Sequence, residues 1–177
     1  MAMTQTPSPQ DISERAWNAY RSGDYPTAAG GFADAASAYA ARGDGLNAAE
    51  MKNNQSVALL RAKQAQAALE AAQGTEAVFA GAGDFRRQGI ALANQASALQ
   101  AMKKVQEAIQ FYTRAGEALE KGGEDVLRVQ VMQLLASLYL SRFKFYDAII
   151  ALQSGLAGVK NPTPRQRLMK KILFIRL

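Results

Sequence analysis

The heptapeptide VQEAIQF at residues 105–111 returns in altered form three more times: YPTAAGG at 25–31, AQAALEA at 65–71 and FYDAIIA at 145–151. The fixed point is the central alanine. Ala28, Ala68, Ala108 and Ala148 stand at a constant interval of forty residues. A second series of small residues keeps the same step: Ala16, Ser56, Ala96 and Ala136. A third is a glycine followed by an acid: Gly43-Asp44, Gly83-Asp84 and Gly123-Glu124. Three series in one register define an internal repeat, and a period of this size is the mark of a stacked-repeat architecture.

The physical reading is a helical hairpin in each repeat. Alanine-rich sequence with few β-branched runs favours helix over sheet. The small residue on the first helix and the alanine on the second let two backbones approach closely, and larger side chains interlock around that point. One hairpin cannot bury its apolar face alone, so hairpins stack. The sequence predicts helices at about 9–22, 25–42, 46–62, 65–81, 85–102, 105–121, 125–142, 145–159 and 164–176, with ends uncertain by about two to four residues. Ser8-Pro9 followed by Asp11 starts the first of them favourably. Gly23, Gly43, Gly83 and Gly123 stand where helices stop. Gly30-Gly31 falls inside a predicted helix and reads either as a close crossing or as a bend.

The expected organisation is therefore all-α. A flexible N-terminus spans 1–8. Four hairpin repeats follow over 9–160, at about 9–43, 44–83, 84–123 and 124–160. A proline-containing turn and an amphipathic helix occupy 161–177.

These residues resemble the tetratricopeptide repeat family in a 40-residue variant of its usual unit of about 34. The family's A-x₃-F element is matched by Ala28/Phe32 and Ala108/Tyr112, loosely by Ala148/Leu152, and is degraded at Ala68/Ala72. Its small slot holds Ala16, Ser56, Ala96 and Ala136. Its tryptophan slot holds Ile12, Lys52, Leu92 and Met132, and its leucine slot holds Arg15, Gln55, Gln95 and Leu135, which are departures. The resemblance implies a solenoid wound into a right-handed superhelix, with a concave groove lined by the first helices. In peptide-binding members an asparagine in each first helix bonds the backbone of an extended peptide. That slot holds Glu14, Asn54, Asn94 and Leu134 here. A carboxamide donates and accepts together, as a peptide group requires. The groove candidates are Asn54 and Asn94, with Asn53, Arg61, Ser97, Trp17 and Arg21 beside them. The plain alternative is that the asparagines repeat only because the hairpins were duplicated. Trp17 is read as packing ahead of ligand contact.

Composition narrows the function. The 177 residues contain no cysteine and no histidine. Disulfides and thiolate metal sites are excluded, and the commonest general base and zinc ligand are missing. No phosphate loop is present, because Gly81–Asp84 lacks the following Gly-Lys-Ser/Thr. The expectation is a non-enzyme with no cofactor, no metal and no catalytic residue. The formal net charge of +6 is uneven. Residues 1–125 hold 12 Lys/Arg and 14 Asp/Glu, a net −2, whereas residues 126–177 hold 9 Lys/Arg and Asp147 alone, a net +8. A basic terminus does not make a nucleic-acid binder. Neither a signal peptide nor a membrane-spanning run is read, so the expected location is cytoplasmic.

The segment 165–177 is amphipathic. Leu168, Met169, Ile172, Leu173 and Ile175 share one face; Arg167, Lys170 and Lys171 share the other. A cap on the open end of the stack is the first reading. Self-association or partner docking through Leu168, Ile172, Ile175, Lys170 and Lys171 is the second. A membrane surface or nucleic acid comes last. The functional expectation is a protein-interaction module, an adaptor, scaffold or assembly factor holding a partner peptide or helix in the groove. The alternative is a structural subunit that forms oligomers through its C-terminal helix. Because the repeat depends on tiny side chains at the contacts, Ala108→Trp or Ala148→Trp is expected to cost about 1–3 kcal/mol. Thermal melting of each variant checks this.

Overall fold

Ten helices follow one another in the computed structural model, which describes residues 7–174. They are α1 (Pro9–Arg21), α2 (Tyr25–Ala41), α3 (Gly45–Arg61), α4 (Ala65–Ala72), α5 (Thr75–Gly81), α6 (Phe85–Ala101), α7 (Val105–Lys121), α8 (Asp125–Leu140), α9 (Phe145–Ala157) and α10 (Pro164–Leu173). No strand occurs among the described residues. Each helix packs chiefly on its chain neighbours, as in a helical-hairpin solenoid. No helix among the described residues is long and apolar enough to cross a membrane.

The turns share one geometry. Gly23, Gly43, Lys63, Gly83, Lys103, Gly123 and Phe143 all have positive φ, and they fall at every twentieth residue. At each, the amide of the next residue reaches back to a carbonyl five residues earlier. Examples are Asp24 N to Ala19 O at 2.9 Å and Lys104 N to Leu99 O at 2.9 Å. The left-handed residue bonds the carbonyl three before it, as Gly23 N does to Tyr20 O at 3.1 Å. This pair of bonds satisfies the last carbonyls of one helix and reverses the chain. The following residue caps the next helix. Asp24, Asp44 and Asp84 do so with their carboxylates.

The predicted helix over 65–81 is two helices. It breaks at Gln73, which is extended, and Gly74, whose φ is +81°. The buried Thr75 donates its hydroxyl to Ala72 O at 2.6 Å, which closes the end of α4. The break redirects α5 so that Phe79, fully buried, packs with Ala49 of α3 and Ala91 of α6. Burial of a phenylalanine side chain stabilises by about 1.5–3 kcal/mol, so the extra turn is well anchored.

All eight small repeat residues are buried: Ala16, Ala28, Ser56, Ala68, Ala96, Ala108, Ala136 and Ala148. Their neighbours form two larger clusters. One surrounds Phe32 and Ala35 in the first hairpin, and the other surrounds Leu99, Tyr112, Leu119 and Leu135 in the last two. The buried Arg128 of α8 links the latter pair, donating to Glu120 of α7 at 3.0 Å and Ser154 of α9 at 3.2 Å.

The two adjacent glycines of α2 behave differently. A Cβ on Gly31 would lie 2.8 Å from Ala16 Cβ, whereas a Cβ on Gly30 would meet nothing within 4 Å. Gly31 is thus the crossing point of α1 and α2. Gly30→Ala is expected to stabilise the protein by about 0.5–1 kcal/mol through helix propensity. Gly31→Ala is expected to destabilise it through the collision. Denaturant melts of the two variants should move in opposite directions.

Candidate protein-binding face

The asparagine slot occupies the same position in α3 and α6, ten residues after each capping aspartate. Those caps fix the starts of both helices. Asp44 accepts the Asn47 amide at 3.1 Å and its side chain at 2.6 Å. Asp84 accepts the Arg87 amide at 2.8 Å and its Nε at 2.6 Å. The Arg87 guanidinium then reaches Glu50 of α3 at 3.0 Å, which ties the two asparagine-bearing helices together. The bonds from Asn47 hold the Asp44 carboxyl below the usual carboxylate range, and the Arg87 amide does the same to Asp84.

Along the first helices the slot residues reach solvent. Glu14 and Leu134 are exposed; Asn54 and Asn94 are half-buried. Asn54 makes no side-chain hydrogen bond among the described residues. Asn94 donates to Asn53 Oδ1 at 3.4 Å, and the Thr75 hydroxyl lies 3.5 Å from the same oxygen. Asn53 is only 5% exposed. It is an internal polar link between α3, α5 and α6, and this corrects its expected place in the groove, since a buried carboxamide already bonded inward does not meet a partner. Gln95, a departure from the repeat pattern, has a related role. It is buried and donates to Glu76 of α5 at 2.8 Å, a tie that leucine would not make.

The other candidates separate into two groups. Trp17, 37% exposed, meets the edges of Phe32 at 5.0 Å and Tyr20 at 5.6 Å between ring centroids. Tyr20 meets Tyr25 at 5.4 Å. The Arg61 guanidinium lies 5.3 Å over the Tyr25 ring and donates to its hydroxyl at 3.1 Å, which raises the Arg61 pKa. Trp17, Tyr20, Tyr25 and Arg61 therefore form one aromatic and cationic strip across α1, α2 and α3. Tyr20 and Tyr25 stand one on each side of the turn YRSGDY, which is the clue to this pairing in the sequence. Arg21 and Ser97 stand apart from the strip. Arg21 bonds Asn18 on its own helix at 2.6 Å. Ser97 lies 3.1 Å from the Tyr112 hydroxyl, which donates to Gln100 at 2.9 Å; burial pushes the Tyr112 phenol up.

At the other end, α10 rests on α9. Lys170 reaches Val159 O at 3.3 Å, and Gln153 donates to Leu173 O. No residue of α10 is buried. Leu168, Ile172 and Lys171 are exposed, and Ile175 lies outside the described residues. Of the predicted apolar face, Met169 and Leu173 are half-buried, whereas Leu168 and Ile172 face solvent.

A family model described as "SNAP: Soluble NSF attachment protein, SNAP" matches residues 4–156. The match reaches to within one residue of the end of α9. It supports the resemblance read from the repeats at the coarser level, because the matching family is a TPR-like helical one. Comparison with curated proteins finds no match.

The cap of α6 carries a pH prediction. Its carboxyl has a lower pKa in the folded chain than the unfolded value of about 3.9. The stability it contributes is therefore present above about pH 4 and is lost as pH falls through the depressed folded value. Asp84→Ala is expected to cost about 1 kcal/mol at neutral pH. The gap from wild type should narrow in acid, as measured by urea melts at neutral pH and at about pH 3.

Proposed function

The chain belongs to the soluble NSF attachment protein family, and from that premise we propose that it is a non-catalytic adaptor that holds an extended segment or helix of a protein partner along its first helices. The family takes its description from attachment to another protein, which supports the coarse reading directly. The observation that carries the finer one is the row of solvent-reaching slot residues on α1, α3, α6 and α8, with Asn54 uncommitted. The strip of Trp17, Tyr20, Tyr25 and Arg61 adds a surface suited to an acidic or aromatic side chain. Aromatic residues and arginine carry a large share of binding energy at protein interfaces. A cytoplasmic setting and the repeat units as domains belong to the same reading.

A second reading rests on α10. Its exposed Leu168 and Ile172 favour association of two copies through that helix. Light scattering of the full chain and of a chain ending before Thr163 separates the two, since loss of an oligomer on truncation supports the second reading.

For the first, peptides are selected on the wild-type chain from a displayed random library. Their affinity is then measured for the Asn54→Ala/Asn94→Ala and Arg61→Ala variants. Two carboxamide bonds at about 0.5–1.5 kcal/mol each predict a loss of about 5- to 150-fold in the double variant. Unchanged affinities in both variants would remove this face as the binding site.

A further inference from the structure

The turn between α8 and α9 departs from the others. Six of the seven repeat turns hold glycine or lysine at the left-handed position, and this one holds Phe143 at φ +57°. A bulky L-residue in that region is a backbone outlier, held there against local sterics. Folding recovers nothing from the ring, because Phe143 is 81% exposed. Its neighbours repeat the anomaly. Phe145 is 60% exposed, Tyr146 75% and Ile149 41%. The Phe143 and Phe145 rings touch edge to face, with centroids 6.4 Å apart. The cluster stands at the tip of the hairpin, where α8 ends and α9 begins.

Cations are interleaved with these rings in the run Arg142-Phe143-Lys144-Phe145-Tyr146. Arg142 and Lys144 are exposed and form no salt bridge among the described residues. They lie in the part of the chain where Asp147 is the single acid against nine Lys/Arg.

From this geometry we propose that the α8–α9 turn is a docking tip for an anionic lipid surface. The rings enter the boundary between headgroups and acyl chains, and Arg142 and Lys144 stay at the level of the phosphates. Exposed rings flanked by two cations that form no salt bridge among the described residues match the mixed apolar and anionic character of that boundary. Aromatic residues concentrate at headgroup depth, long cationic side chains extend towards the phosphates, and each basic residue near an anionic surface contributes about 1 kcal/mol. This surface is separate from the first-helix face proposed for the protein partner, so either can fail without the other.

The test is co-flotation of the full chain with vesicles of phosphatidylcholine alone and with vesicles containing phosphatidylglycerol. Wild type is expected to float with the anionic vesicles, to remain behind with the neutral ones, and to be released by salt. Phe143→Ser/Tyr146→Ser should lose at least about tenfold in partitioning. Arg142→Glu/Lys144→Glu, which leaves the rings in place, should lose at least about 25-fold, or roughly fivefold per cation removed. Circular dichroism melts verify that both variants fold. Equal flotation of wild type and both variants would overturn the proposal. So would a wild type that binds neither vesicle, including one that forms an oligomer in light scattering which the ring variant abolishes.

Discussion

Neighbouring helices in this chain approach until only a hydrogen atom or a methyl group fits between them. A Cβ on Gly31 would collide with Ala16, one on Gly89 with Leu119, and ones on Gly116 and Gly155 with Met132. Side chains that small contribute little burial of their own. Their effect is to bring the backbones close, so that the large residues beside them interlock: Phe32 in the first hairpin, Tyr112 and Leu119 in the third. Interiors packed at crystal-like density have no slack at such points. Every later feature, from the slot row on the first helices to the aromatic tip, takes its place from this spacing.

The turns set the second constraint. Seven of them reverse the chain with one left-handed residue and the same two backbone bonds, so hairpin after hairpin keeps one register. A constant turn passes its alignment on. The aspartates at positions 24, 44 and 84 sit just after the left-handed residue and cap the next helix. The turn residue changes character at one position. That position is Phe143; Lys63 and Lys103 occupy the same conformation with ordinary solvated side chains.

Much of this was legible in the sequence. The forty-residue alanine series gave the repeat, and the glycine-acid pairs at 23, 43, 83 and 123 gave the ends of α1, α2, α5 and α7, because both report on strict local requirements. The break at Gly74 was not legible: AALEAAQGTEAVFA reads as one continuous helix, and the departure depends on Phe79 finding Ala49 and Ala91, which are remote in sequence. Asn53 and Asn54 show the limit for the candidate site. They are adjacent, identical and on one helix, yet one is buried in a polar link and the other reaches solvent. A helix turns about 100° per residue, and which side faces α6 is decided by packing, not by residue type. The role of Gln95 was hidden likewise, since its partner Glu76 lies on the helix that the break creates.

The two ends of the chain differ. The N-terminal half is slightly acidic and carries the aromatic strip and the asparagines; the C-terminal end is basic and presents apolar side chains on α9 and α10. That difference rests on the close contacts that hold the hairpins in line. The most direct test of those contacts is a methyl-labelled nuclear Overhauser experiment on the intact chain. The account predicts strong cross-peaks from the Ala16 methyl to the Gly31 α-protons and from the Met132 ε-methyl to those of Gly116. A well-folded, helical protein lacking both cross-peaks would contradict it.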